Sequence, residues 1–426
     1  MSEEIAYCKI FPTIGIARVG NSLERDGFFI GPEGIAPPGP SDERRFTDAA
    51  GAVLRQAARF RVYAFDAKDA VIGELTGEQA ELTWSVSLAN KKPEWFEFNG
   101  GAEALAQFEK PEKDSWDRRN ASIKGAERKR RLIIDPGAPV TITGKDVRSS
   151  AASEYGFIGK FQAATDVYLG ELRTDEKGRL LVLGGRGYSA AVDETGAEVS
   201  GKKWITNYAN NDLWHDDTSD GPVECKVTLE GRDIPVKGRA WVLVTPPDFA
   251  PDVGNVVTLY DVMEDVALSN GLSHPGLPAP IGADDVEFWR DIYPILFRAS
   301  AISWVSDLAL RGHAKGKAGD FTDERTLEFL SDPRHETGRL SREAVFKRIR
   351  KPRELASKEE QAAQANGYYM PALSGNEGDA TTGDPTTWLT VTTLQYKRLE
   401  AWAQHRFRPG TRMPPFARTR PTSRGF

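Results

Sequence analysis

The groups in this chain best suited to chemistry crowd into one stretch, Asn207-Tyr-Ala-Asn-Asn-Asp-Leu-Trp-His-Asp-Asp-Thr-Ser-Asp-Gly221. Tyr208, Asn210, Trp214, His215, Asp216, Asp217 and Asp220 bring a phenol, an amide, an indole, an imidazole and three carboxylates close together in sequence. Carboxylates at 216, 217 and 220 could bind a cation or orient a polar substrate. The spacing matches neither an EF-hand loop nor a zincin helix. Asn and Asp also close Asx-turns and satisfy loop backbone, so a structural role stands open beside the chemical one.

Other candidates are poorer. Gly184-Gly-Arg-Gly187 follows a strand but leads into no Lys-Ser/Thr, so it reads as a glycine-supported turn and not as a P-loop. The histidines at 215, 274, 313, 335 and 405 include no i, i+4 pair for a helical metal site, and only His215 sits in a polar cluster. There is no Gly-x-Ser-x-Gly. The two cysteines, Cys8 and Cys225, exclude a disulfide scaffold and a four-thiolate zinc site. Cys225 alternates with Val223 and Val227, the pattern of a buried structural thiol.

The elements that must position these groups differ along the chain. Up to about residue 260, strands and turns dominate. Leu82–Leu88 and Val223–Leu229 alternate with period two, and Cys8–Val19, Phe60–Phe65, Arg131–Ile134, Arg179–Leu183 and Arg239–Val244 are further strand candidates. Lys110–Arg131 is so charged that it reads as a solvated excursion. From Asp284 the apolar residues recur at helical spacing, predicting one long helix or a broken pair over Asp284–Arg311. The basic run Arg342–Arg353 reads as a solvated helical face, without the interleaved aromatics of a nucleic-acid site. Leu355–Asn366 reads as helical. Thr392-Thr-Leu-Gln395 resembles a capping box opening a helix with Tyr396, Leu399, Ala403 and Phe407 on its apolar face.

The chain has 426 residues, 39% of them hydrophobic and 28% charged, with a net charge of −6. That composition excludes a disordered chain and a global basic field for nucleic acid. No run is long enough to span a membrane and no signal peptide is visible, so a cytoplasmic protein is expected. The fold class expected is α+β, a β-rich N-terminal portion (1–283) with a helical C-terminal portion (284–407). The tail, 408–426, is Arg/Pro-rich and is expected to be disordered.

Several segments together resemble the lysine ε-oxidase and glycine oxidase quinoproteins, which carry a cysteine tryptophylquinone. They are Phe11–Ser22, Phe29–Glu33, Asn207–Val223, Trp241–Asp252, Leu373–Asp379 and Leu394–Trp402, in family order. The resemblance implies oxidative deamination of an amino-acid substrate. A Trp-derived quinone, thioether-linked to Cys, condenses with a primary amine, an acidic residue removes a proton, and dioxygen reoxidises the cofactor to give ammonia and hydrogen peroxide. It implies a flavoprotein partner that installs the quinone, and a homo-oligomer; nucleic-acid and membrane partners are not expected. On the same resemblance, Tyr208, Trp214 and His215 are substrate-cleft candidates, with Asp216 and Asp220 as orienting carboxylates.

The sequence departs from the family pattern downstream of the helix ending near Phe407. There the family carries its crosslinked Cys and Trp, whereas Arg408–Phe426 contains neither. Cys8 and Cys225 lie in strand segments and do not take that role, so the expectation is a truncated, inactive relative with the quinone residues absent. A frameshift would account for the tail. The helix from Thr392 is then expected to leave an apolar patch exposed. A non-catalytic scaffold, or a cation- or sugar-binding protein using Asp216–Asp220, are the alternative readings.

Overall fold

In Arg55–Phe65, Ala58, Phe60, Val62 and Ala64 are buried while Arg59, Arg61 and Tyr63 point to the other face, the alternation that makes a strand two-sided. Such strands build a large sheet in the computed structural model, which describes residues 5–33, 46–98, 117–148, 154–200, 205–207, 209–248, 253–272, 285–375 and 380–412. Its main path runs Val140–Thr143, Glu81–Val86, Ser219–Leu229, Ala240–Thr245, Ile14–Arg18, Arg55–Phe65, Leu180–Gly184, Thr165–Thr174, Gly156–Phe161. Only Ala240–Thr245 against Ile14–Arg18 is parallel along this path. The ends return toward each other, with Thr174 N donating to Val147 O at 3.1 Å, so the sheet is nearly closed.

The inner face holds Phe60, Trp84, Leu88, Phe157, Phe161, Leu172, Val223 and Val242, all 0–1% exposed. Each large apolar side chain buried this fully contributes about 1.5–3 kcal/mol. Backbones approach so closely that a Cβ on Gly221 would lie 1.8 Å from Ser87 O. On the outer face Arg61 pairs with Glu33 and Glu74, and Arg179 also binds Glu74 at 2.6 Å.

Several expectations are corrected. Cys8–Val19 is two strands, Tyr7–Phe11 and Ile14–Arg18, interrupted at Pro12, which has no N–H for a ladder. Arg131–Ile134 is not a strand. Ala126–Leu132 is a helix of good helix formers with a Glu127–Arg130 pair, and Ile134 makes only a bridge to Asn90. The described part of Lys110–Arg131 is not a solvated excursion, because Asn120, Ile123 and Arg128 are buried.

Asp284–Arg311 is broken into the π turn Phe288–Ile292 and helices Tyr293–Ala301 and Asp307–His313. Pro294 at the start of the second piece cannot continue the upstream hydrogen-bond ladder. The basic run is only in part a solvated face, with Lys347, Arg348 and Arg353 exposed but Arg342 and Arg350 buried. Arg342 is 0% exposed and donates to Phe329 O, Asp332 O and Pro333 O. Arg350 is 3% exposed, lies over the Trp388 ring at 4.7 Å and donates to five backbone carbonyls, among them Pro371 O at 2.5 Å and Leu389 O at 2.8 Å. Each trades hydration for several fixed acceptors.

A second hydrophobic core joins residues from Val256 to Phe407. The capping box at Thr392 is present, and Thr393–Ala403 buries Leu394, Leu399, Ala401, Trp402 and Ala403. This helix leaves no open apolar face, contrary to expectation: Leu394 N donates to Asp265 Oδ1 at 2.6 Å, Arg398 pairs with Glu264 and Trp402 Nε1 donates to Leu330 O. An exposed apolar row lies on Leu259–Ser269 instead. That helix turns Asp261, Glu264 and Asp265 toward Arg298, Arg398 and Leu394, and leaves Leu259, Tyr260, Val262, Met263 and Val266 42–63% exposed. The tail is fixed as far as Arg412, because Arg408 N donates to Val286 O and Arg412 pairs with Glu324; residues 413–426 lie outside the described residues. Among the described residues, no helix is long and apolar enough to cross a membrane.

Candidate functional site

Trp214–Asp216 is a three-residue strand paired with Ser189–Val192, which also pairs with Glu198–Val199. Its entry is fixed by Leu213, held at φ 54°, a region that side chains with a Cβ seldom occupy. Asn120 Oδ1 accepts Leu213 N at 2.7 Å and Leu213 O accepts Val192 N at 2.7 Å. Asn120 is in turn clamped by Arg128, which donates to Asn120 O, Ile123 O, Glu94 O and Arg119 O.

This clamp shapes a small recess. Asn211, Trp214, His215 and Asp216 form one side, and Asn90, Lys92, Pro93 and Arg119 the other. The free space is about 10 Å³, room for about one water molecule. His215 is 1% exposed and packs against Phe161 and Tyr188 at 5.3 and 6.4 Å. Neither of its ring nitrogens has a partner among the described residues, and neither does Trp214 Nε1. Burial favours the neutral imidazole and pushes the His215 pKa down, with Asp216 and Glu198 opposing. Burial likewise lowers the Arg119 pKa, again against Asp216 and Glu97.

The three carboxylates diverge. Asp216 Oδ1 accepts from Asn90 Nδ2 and from Thr218 N and Oγ1, while Oδ2 takes Lys92. Asp217 is 3% exposed and accepts Tyr188 N at 3.0 Å, close against Gly185, where an added Cβ would meet its carboxylate. Burial raises its pKa, and Asp216 adds to the rise. Asp220 faces outward and accepts Trp241 Nε1 at 2.8 Å. No cluster of three or more potential metal ligands occurs among the described residues, and the alternative of a cation site at Asp216–Asp220 finds no support there.

Of the residues singled out in the sequence, the fold therefore brings Trp214, His215 and Asp216 to the recess. Asn210 braces its rim, exchanging two hydrogen bonds with the Phe98 backbone and accepting from Arg119 Nε. Asp217 and Asp220 point elsewhere, and Tyr208 lies outside the described residues. Sequence reasoning missed Asn90, Lys92 and Arg119. Nothing in their own spacing marks them; only the fold joins them to residues 91 to 126 positions away.

Residues 11–244 match the family described as L-lysine epsilon oxidase N-terminal. That segment is more than half of the chain and spans most of the large sheet. The chain belongs to the L-lysine ε-oxidase family. It is 32% identical over 325 residues to L-lysine 6-oxidase of Marinomonas mediterranea, covering 70% of this chain and 43% of that protein. A structure of the ε-lysine oxidase of Marinomonas mediterranea matches with a TM-score of 0.65 and 27% identity over 96% of this chain and 63% of that one. The structure of the Schiff base intermediate of the same organism's L-Lys ε-oxidase with L-Lys matches with a TM-score of 0.64 and 26% identity, covering 96% and 62%. The chain thus spans less than two thirds of the length of these family members.

The quinone that the resemblance implies would require a thiol bonded to an indole within reach of substrate, and the cysteines of this sequence do not fit it. Cys225 does lie opposite Trp84 on the neighbouring strand. However, Trp84 is 0% exposed, Cys225 is 8% exposed, and the Trp84 N–H is committed to Gly178 O at 3.0 Å. Cys8 is 0% exposed in the same core. Burial pushes the Cys8 thiol up to about 11 and Cys225 higher still, so neither is a ready thiolate.

Proposed function

We propose that this chain is the substrate-facing N-terminal scaffold of an amino-acid oxidase acting on a CH–NH2 group. Such an enzyme takes an amine, dioxygen and water to a carbonyl product, ammonia and hydrogen peroxide. The observation that carries the reading is the 32% identity to L-lysine 6-oxidase over 325 residues, on a fold matched across nearly the whole chain. A relative caught as a Schiff base with L-Lys supports a primary amine of an amino acid as substrate. The segment Asn207–Gly221 is its cleft loop in this reading, with Tyr208, Asn210, Trp214, His215, Asp216, Asp217 and Asp220 as the residues to test.

In the family the quinone supplies the electron sink, and a flavoprotein would serve to install it. Because Cys8 and Cys225 do not fit that group, no step is routed through it, and this chain by itself is read as not oxidising amines. The second reading is a non-catalytic scaffold, favoured by a recess with room for only about one water molecule. Purified chain should yield no peroxide from L-lysine or glycine, no redox-cycling quinone stain and the intact mass of its sequence. These amino acids should still raise its melting temperature saturably. A positive stain with a mass lowered by crosslinking would overturn the inactive reading, and absence of any thermal shift would leave the non-catalytic scaffold.

A further inference from the structure

Asn-Gly pairs occur at 99–100, 270–271 and 366–367. In such a pair the side-chain amide carbon is one ring closure away from the next backbone nitrogen, and glycine has no Cβ to obstruct the approach. The first pair lies outside the described residues. The other two differ in their surroundings. Gly271 N is committed to Leu268 O at 3.1 Å, just beyond the helix Leu259–Ser269. Gly367 is exposed, and its N–H has no partner among the described residues. Beside it Tyr368 N donates to Asn366 Oδ1 at 2.9 Å, the oxygen on which negative charge develops when a nucleophile adds to the amide carbon. Next to this pair sits a buried cation without an anion. Arg350 is 3% exposed and pairs with no acid among the described residues, and burial pulls its pKa down to about 10. One of the carbonyls that it binds is Asn366 O, at 2.8 Å from Nη2.

We propose that Asn366-Gly367 is a self-modification site, at which the chain converts to an isoaspartyl link whose freed α-carboxylate faces Arg350. Gly367 N gives up its proton and bonds to Asn366 Cγ; the Cγ–Nδ2 bond breaks and ammonia leaves with that proton. Water then opens the cyclic imide at the former Asn366 carbonyl, breaking the bond from that carbon to Gly367 N. The main chain now runs through Cγ, and the carbonyl that accepted from Arg350 has become a carboxylate. Water is the only co-reactant and nothing is oxidised or reduced. A neutral acceptor is exchanged for a charged one at a buried guanidinium that has none, and charge-assisted bonds are about twice as strong as neutral ones. The proposal is independent of the oxidase reading.

The test ages the full chain in warm, mildly alkaline buffer, maps its peptides by mass spectrometry and counts isoaspartate with an isoaspartyl methyltransferase. Conversion at Asn366 should run about tenfold ahead of conversion at Asn270, the rate equivalent of one hydrogen bond. In denaturant the two should convert at similar rates. The folded, aged chain should resist the methyltransferase until it is unfolded, because Arg350 covers the new carboxylate. Gly367→Ala places a methyl in open space, with Trp388 its nearest neighbour at 4.0 Å. It should slow conversion at Asn366 and leave Asn270 unchanged. Equal native rates at the two sites, a lead that persists in denaturant, or an unaffected Gly367→Ala chain would each overturn the modification site. Full methylation of the folded, aged chain would overturn the pairing with Arg350.

Discussion

Arg128 holds the floor of the candidate site, and its replacement by Met tests whether a single guanidinium sets that shape. The side chain is 8% exposed and donates to Asn120 O at 2.8 Å, Ile123 O at 3.1 Å, Glu94 O at 2.6 Å, Arg119 O at 2.6 Å and Glu94 Oε1 at 3.3 Å. A net contribution of about 1 kcal/mol for each of the four carbonyl bonds gives roughly 4 kcal/mol. Apolar burial of the Met stem returns about 1 kcal/mol, so Arg128→Met should destabilise by about 3 kcal/mol. Against a typical total of about 5–15 kcal/mol this is readily measured by urea denaturation. Arg128→Lys, with three donors on a point charge, should fall between the two. Because Asn120 holds Leu213 and Arg119 walls the recess, the Met variant should also broaden the Trp214 resonance of fluorotryptophan-labelled protein. A loss below about 1 kcal/mol with an unchanged Trp214 signal would refute the reasoning, showing that water replaces the guanidinium at no cost.

Three more outcomes follow from the same geometry. The folded-state pKa of His215 is depressed below 6.5 by burial, so the unfolded chain takes up the proton first. Its stabilising contribution is complete above pH 6.5 and is lost as pH falls through the window below it. Melting temperature should therefore fall less between pH 7 and 5 in His215→Gln than in the parent, and parallel curves would rule this out. Cys8 and Cys225 should both resist iodoacetamide in the native state and react fully only in denaturant, with stoichiometric native labelling as the contrary result. Gly221→Ala drives a methyl to 1.8 Å from Ser87 O between two central strands. It should cost about 3 kcal/mol or more or abolish soluble expression, and near-wild-type stability would show that the strands can part there.

The parts of this fold legible in the sequence are those where a local period or cap does the specifying. Leu82–Leu88 and Val223–Leu229 alternate because each has one face in the core, and they pair with each other in the sheet. Thr392 and Gln395 announce a helix start because their side chains satisfy backbone groups within four residues. The arginines were misread because composition counts charge and cannot see acceptors. Arg128, Arg342 and Arg350 are buried by backbone carbonyls as far as 39 residues away in sequence. The site was half legible for a similar reason. Trp214, His215 and Asp216 stand in one unusual cluster, while Asn90, Lys92 and Arg119 join them only through strand pairing and the Arg128 clamp.

The helix Leu259–Ser269, which faces inward with its acids and outward with its apolar row, bears on the colloidal behaviour of the chain. With a net charge of −6, mutual repulsion keeps such rows apart at neutral pH. Near the isoelectric point, about 5.7, that repulsion vanishes while the row stays on the surface. Concentrated samples should then self-associate through this helix without unfolding, and one charged substitution at Met263 is the economical way to keep them dispersed.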